Sequence, residues 1–137
     1  MTKWRESKLI KEGYEIRNAL ITRVDLSMAA YSCLTLELTL EGDGWGCVYG
    51  GYVLGKGYVG ADDDFWKGSA RGMESIMRIM DIVDCERFND LKGKYVRVAT
   101  KGWGECVKII GNITKDKWFD EETFFAEDQK GVNLDND

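Results

Sequence analysis

Histidine is absent from the 137 residues. The usual general acid or base near neutral pH is therefore missing. Ser-His-Asp and Cys-His arrangements and imidazole–metal sites are excluded with it. Carboxylate, lysine or tyrosine chemistry stays open, yet no short motif announces it. Proline is absent too. No apolar run approaches the roughly 18 residues that a membrane span needs. Met1 is followed by Thr2, Lys3, Trp4, Arg5 and Glu6, with no apolar stretch behind them. No signal peptide is expected, and a cytoplasmic location is. Cys33, Cys47, Cys85 and Cys106 include no C-x-x-C pair. With no closer pair and no histidine they do not read as zinc ligands. They read as reduced, half-buried small side chains. A basic surplus is also lacking. The net charge of −5 argues against a duplex-DNA binder, although much of the negative charge lies near the C-terminus.

Hydrophobic residues make up 44 % of the chain and charged residues 31 %, a globular balance. The length suits one domain whose core needs no staples. Residues 1–16 carry Trp4, Leu9, Ile10 and Tyr14 among charges and read as an amphipathic arm. From Asn18 to Leu26 the pattern alternates, with Leu20, Thr22, Val24 and Leu26 on one side and Ile21 on the other. Leu34, Leu36, Leu38 and Leu40 alternate with polar residues as a half-buried strand requires. Glu41-Gly42-Asp43-Gly44 makes a turn, and Trp45–Leu54 is the third strand of a meander. Gly50-Gly51 inside it predicts a bulge or a close approach by another backbone.

After a glycine-punctuated loop, Asp62, Asp63 and Asp64 offer an N-cap to a helix expected from about Asp63 to Val83. Met73, Ile76, Met77, Met80 and Val83 form its expected buried face. Gly68 and Gly72, four apart, admit a closely packed neighbour. Tyr95–Thr100 and Cys106–Thr114 read as two further strands, joined around Gly102-Trp103-Gly104. The predicted architecture is α+β. A bent antiparallel sheet of about five strands, in the order β-β-β-α-β-β, packs on one main helix. Residues 17–125 form the domain, and 126–137 form an acidic, disordered tail.

Several residues carry both a functional and a plain reading. Aromatics beside the glycine-rich stretch, including Trp45, Tyr49, Tyr52 and Tyr58, can stack on bases or simply pack the sheet. Arg71 and Arg78 share a helix face with Glu74 between them, which allows either a laced surface or a phosphate clamp with Lys115 or Lys117. Trp118 next to those lysines could hold a base beside its phosphate. The segment Gly55-Lys56-Gly57-Tyr58-Val59-Gly60 loosely matches a phosphate loop. It lacks the pattern G-x-x-x-x-G-K-[ST], and the aspartates after it repel phosphate, so it reads first as a connection. The same aspartates could hold Mg²⁺, but helix capping explains them better.

Four segments carry a family likeness. They are Gly50-Gly51-Tyr52-x-Leu54, Gly68-x-x-x-Gly72-Met73-Glu74-x-Ile76, Leu91-x-Gly93-Lys94-Tyr95-Val96-Arg97-Val98, and Ile110-Gly111-x-Ile113-x-Lys115-Asp116-Lys117-Trp118-Phe119. In this order, over residues 17–120, the chain resembles the first-described anti-Thoeris family of phage proteins. Arg71 departs from that pattern by standing where an apolar or aromatic residue is expected before Gly-Met-Glu. The resemblance implies a non-enzymatic sponge in the host cell cytoplasm. Such a protein binds a glycocyclic ADP-ribose isomer made by a TIR-domain enzyme, holds it intact, and keeps the downstream effector off. It further implies a homodimer or hexamer, pockets at subunit interfaces, and cyclic di- or trinucleotides as ligands of some members. No cofactor is implied.

A ligand with adenine, two riboses and a pyrophosphate needs aromatics and cations. The candidate ligand-binding residues are Tyr52, Trp66, Arg71, Arg78, Lys115, Lys117 and Trp118. The alternative is a phage protein–protein inhibitor of a host enzyme, which would expose an apolar patch. A single-strand nucleic-acid module, the third reading, would need a continuous basic groove.

Overall fold

Alternating apolar and polar residues build three long antiparallel strands in the first half of the chain. They are β1 (Glu15–Ala30), β2 (Cys33–Gly42) and β3 (Trp45–Lys56). The computed structural model describes residues 3–30, 32–102, 104 and 106–132, so Trp103 and residues 133–137 lie outside the described residues. Asp43-Gly44 closes the β2–β3 hairpin, with Gly44 at a φ of +78° as a tight two-residue loop demands. A two-residue strand β4 (Lys67–Gly68) then adds to β3, and β5 (Tyr95–Thr100), β6 (Ile109–Asn112) and β7 (Trp118–Asp120) add beyond β1. Among the described residues the sheet has seven strands in the order β4-β3-β2-β1-β5-β6-β7, all neighbours antiparallel.

The class is α+β as predicted, but with seven strands rather than about five. Among the described residues three helices stand where one main helix was expected: α1 (Glu6–Lys11), α2 (Ala70–Val83) and α3 (Glu121–Val132). Strands of two to four residues are too short to show a period of two, which is why β4 and β7 escape notice in the sequence. Residues 126–132, expected in the tail, continue α3. The N-terminal arm is folded too. Leu9 of α1 is buried with Ala99 and Ile109 on one face of the sheet, flanked by Trp4, Tyr14 and Trp118. Among the described residues no helix is long and apolar enough to cross a membrane.

The Gly50-Gly51 bulge is present. Thr35 pairs with Val53 while Glu37 pairs with Gly50, so β3 carries an extra residue. Gly50 and Gly51 have φ of +109° and +85°, and a Cβ on Gly50 would strike the Leu36 carbonyl. A second register shift, in β1 between Ile21 and Arg23, inverts the expected alternation. Ile21 faces the core opposite Leu40, and Val24, opposite Leu38, packs on the same core.

Helix α2 lies in the hollow of the sheet and touches β3, β6 and β7. Its buried face is Gly72, Ser75, Ile79, Ile82 and Val83, rotated from the expected one. Met73 and Met77 are 61 % and 57 % exposed. The reason is steric. A Cβ on Gly72 would lie 2.6 Å from the Leu54 carbonyl oxygen and 2.7 Å from its Cα. The helix therefore approaches β3 through its smallest residues. Gly72 thus serves close packing inside the chain. Ser69 rather than the aspartates caps the helix, its Oγ accepting from the Gly72 N–H at 2.9 Å. Asp62–Asp64 lead only into a 3-10 turn at Asp63–Phe65.

Gly72→Ala should therefore force α2 off β3. A loss of about 1–3 kcal/mol, typical of an overpacked core, is expected in urea unfolding. An unchanged midpoint would show that the contact is not tight.

Candidate functional site

The structure disperses the seven predicted binding residues, and most are engaged in holding helices. Arg71 lies 3.8 Å over the Phe124 ring, donates from Nη2 to the Phe124 carbonyl at 3.0 Å, and lies 3.7 Å from Glu74. Arg78 donates from Nε to Glu74 at 2.8 Å and sits 5.5 Å from the same ring. Tyr52 stacks on Phe125 at 5.1 Å, 20° from parallel. Burial first, then the carboxylates of Glu122, Glu121 and Asp120, push the Tyr52 phenol up to about 12. These three residues dock α3 onto α2 and β3. Unrecognised in the sequence, α3 supplies the aromatic and carbonyl groups that occupy them.

Lys115 and Lys117 close the C-terminus of α2. Lys117 Nζ donates to the Asp81 carbonyl at 2.7 Å and reaches Asp81 Oδ1 at 3.2 Å and Asp84 at 3.4 Å. Lys115 pairs with Asp84 at 3.0 Å. Asn112 Nδ2 donates to the Ile82 carbonyl at 2.8 Å. Cations and donors suit the negative end of a helix. The lysines also hold the Asp84 carboxyl below its usual range, the Lys115 hydrogen bond contributing most. Trp118 lies on the opposite face of the sheet, over Gly111, with Nε1 donating to Asp116 at 2.7 Å and Arg97 4.6 Å from its ring.

Trp66 is the exception. It is 46 % exposed, lies over Gly57, and forms one wall of a groove of about 450 Å³ at the N-terminus of α2. Leu34, Leu54, Met73 and Ile76 give the groove an apolar floor. Lys56 and Lys67 line it too, and they are direct partners across the β3–β4 ladder. Residues directly opposite in an antiparallel pair project to the same side, with Cβ atoms about 5 Å apart. Among the described residues neither lysine has an ion-pair partner. Gly55 faces Gly68 beside them, and a Cβ on Gly55 would lie 2.9 Å from the Lys67 carbonyl oxygen. Lys56 falls in the glycine-rich segment that the sequence marks. Lys67 carries no such mark, because its pairing depends on β4.

A second cavity, of about 400 Å³, opens at the seam where β3 faces Thr100, Gly102, Gly104, Cys106 and Val107. Trp45, Cys47, Val98, Cys106 and Val107 line it, with Glu15 and Arg17 at the rim, 2.9 Å apart. At the start of α3, Glu121 is 2 % exposed, and Oε1 has no hydrogen-bond partner among the described residues. The hydroxyl of Tyr49, which is 1 % exposed, likewise lacks one. Burial pushes the Glu121 carboxyl up to about 7.

Comparison with family models, curated proteins and solved structures finds no match.

Glu121 makes stability depend on pH. Its carboxyl is raised in the fold, so its contribution is fully present below the unfolded value of 4.5 and is lost as pH rises through about 7. The full loss is on the order of 3 kcal/mol. Glu121→Gln should flatten the fall in denaturation midpoint between pH 4.5 and 7. A variant that keeps the wild-type slope would assign the dependence to another group.

Proposed function

We propose that the chain binds a cyclic ADP-ribose-type nucleotide in the groove at the N-terminus of α2, holds it without degrading it, and so acts as a phage sponge against TIR-based immunity. The observation that carries this reading is the Lys56–Lys67 pair beside Trp66. Two facing ammonium groups with no carboxylate partner suit phosphate oxygens. The Trp66 ring offers a stacking surface for a base. The groove volume of about 450 Å³ falls within the range of small-ligand sites. The N-terminus of α2 adds the positive end of a helix dipole. The resemblance over residues 17–120 supplies the ligand class and the expectation of a homodimer or hexamer. Cyclic di- and trinucleotides share the same chemistry of base and phosphate. The clamp proposed here is Trp66 with Lys56 and Lys67, whereas Arg71, Arg78, Lys115 and Lys117 serve the fold.

The alternative, a protein–protein inhibitor, has its own support in the exposed Met73 and Met77. Met73 lines the groove, and Met77 lies one turn further along α2. Methionine surfaces adapt to protein partners.

Purified protein mixed with enzymatically made glycocyclic ADP-ribose and then filtered should deplete the filtrate. Heating the retained protein should return the ligand unchanged. Lys56→Gln and Lys67→Gln should each weaken binding about tenfold, as expected for a lost charge-assisted contact. Trp66→Ala should do so by a similar factor, about one stacking interaction. Depletion with an altered product would mean an enzyme. Undiminished binding by all three variants would move the site elsewhere. No depletion by any cyclic ADP-ribose isomer would leave the inhibitor reading in first place.

A further inference from the structure

The groove at the N-terminus of α2 sets hydrogen-bond donors over an apolar floor, and this decides which part of a nucleotide it can read. Among the described residues, four of its lining side chains can hydrogen-bond: Lys56, Trp66, Lys67 and Ser69. An ammonium group and an indole N–H donate and cannot accept. The Ser69 hydroxyl oxygen is already engaged, accepting from the Gly72 N–H at 2.9 Å. No carboxylate or carboxamide side chain lines the groove among the described residues. Acceptors are thus what its side chains lack.

Purine bases differ in the groups that such a lining serves badly. Adenine and guanine share the N7 acceptor and the ring face, but they place their amino groups differently. An amino group pressed against Leu34, Leu54, Met73 or Ile76 would lose its water and gain no acceptor, which is unfavourable. The polar edge of either base therefore stays in water at the mouth of the groove. The ring face is what Trp66 can take. A Cβ on Gly57 would strike the Trp66 ring, so the indole rests on that backbone, while 46 % of the residue stays exposed. Every base offers a face for stacking.

We propose that the groove selects its ligand by the pyrophosphate and the face of a purine ring, and does not read which purine it holds. This rests on the sponge reading above and names its ligand class: cyclic pyrophosphates of adenine and guanine alike. Strong discrimination between similar ligands comes from buried polar groups that the wrong ligand leaves unpaired. Here the floor is apolar, and the two facing lysines hold phosphate oxygens that every member of the class carries. One protein can then remove signals that differ in their base.

The test is equilibrium dialysis of the full chain against glycocyclic ADP-ribose, its guanine counterpart, and adenosine. The two cyclic ligands should bind with dissociation constants within about tenfold of each other. Adenosine lacks the phosphates and should bind about a hundredfold more weakly, as the loss of two lysine contacts implies. Lys56→Gln and Trp66→Ala should weaken both cyclic ligands by the same factor and leave their ratio unchanged. A preference of more than about tenfold for either base, the worth of one or two hydrogen bonds, would overturn base tolerance and leave the sponge reading standing. So would a variant that shifts the ratio, or adenosine binding as tightly as the cyclic ligands. Retention of neither cyclic ligand would overturn both.

Discussion

The backbone of β3 at Gly50-Gly51 governs how everything else can pack. Its two positive φ values insert an extra residue opposite β2, and a bulged strand bends and twists more strongly than a regular one. A seven-stranded sheet without such bends would leave β3 far from β7. Here α2 touches β3 as well as β6 and β7, and the ring of Tyr52 on β3 meets Phe125 of α3. Both contacts require the ends of the sheet to curl toward each other. Strand β3 pairs with β4 at only two positions, Gly55 and Lys56.

With the sheet curled, α2 becomes the central load, and the charges of the molecule are arranged around it. At its C-terminus, Asn112 donates to the Ile82 carbonyl and Lys117 adds a second donor to the Asp81 carbonyl, which also accepts from the N–H of Asp84 in the left-handed cap at a φ of +58°. On its flank, Arg71 and Arg78 bracket Phe124, with Glu74 between them. Exposed ion pairs add little on their own. The stacking of a guanidinium on the buried Phe124 ring, with a carbonyl accepting from it, does more to fix α3 in place. The N-terminus of α2 is treated differently. Ser69 satisfies one backbone donor there, and no ion pair neutralises the two lysines beside it.

Much of this was legible in the sequence wherever a single repeat runs long enough. Residues 33–40 alternate cleanly and form most of β2, and Gly50-Gly51 announces its own bulge. The failures have physical causes. The shift at Ile21–Arg23 inverts a face that alternation alone assigns the other way. The face of α2 was misread because hydrophobicity favours the methionines, whereas close approach favours Gly72 and Ser75, and contact with Leu54 decides the orientation. Residues 126–132 read as the start of an acidic tail, yet they continue α3, which Phe124 and Phe125 anchor. Of the predicted binding residues, only Trp66 lines an open groove. The others met carboxylates, carbonyls or rings from segments that a one-dimensional reading does not bring together.

The contrast between those residues and Lys56–Lys67 bears on function. Like charges directly opposite in an antiparallel pair are destabilising, by some tenths of a kcal/mol to about 1. β4 is only two residues long and has little else to hold it against β3. Asp62, Asp63 and Asp64 lie only a few residues away and could have neutralised the pair, yet none is within ion-pair distance of it. An anion placed between the two ammonium groups would remove their repulsion and tie β4 to β3, so ligand binding and closure of this edge would stabilise each other. A bound phosphate would thus strengthen the weakest pairing in the sheet. Arg71, Arg78, Lys115 and Lys117 would have to give up existing partners to do the same.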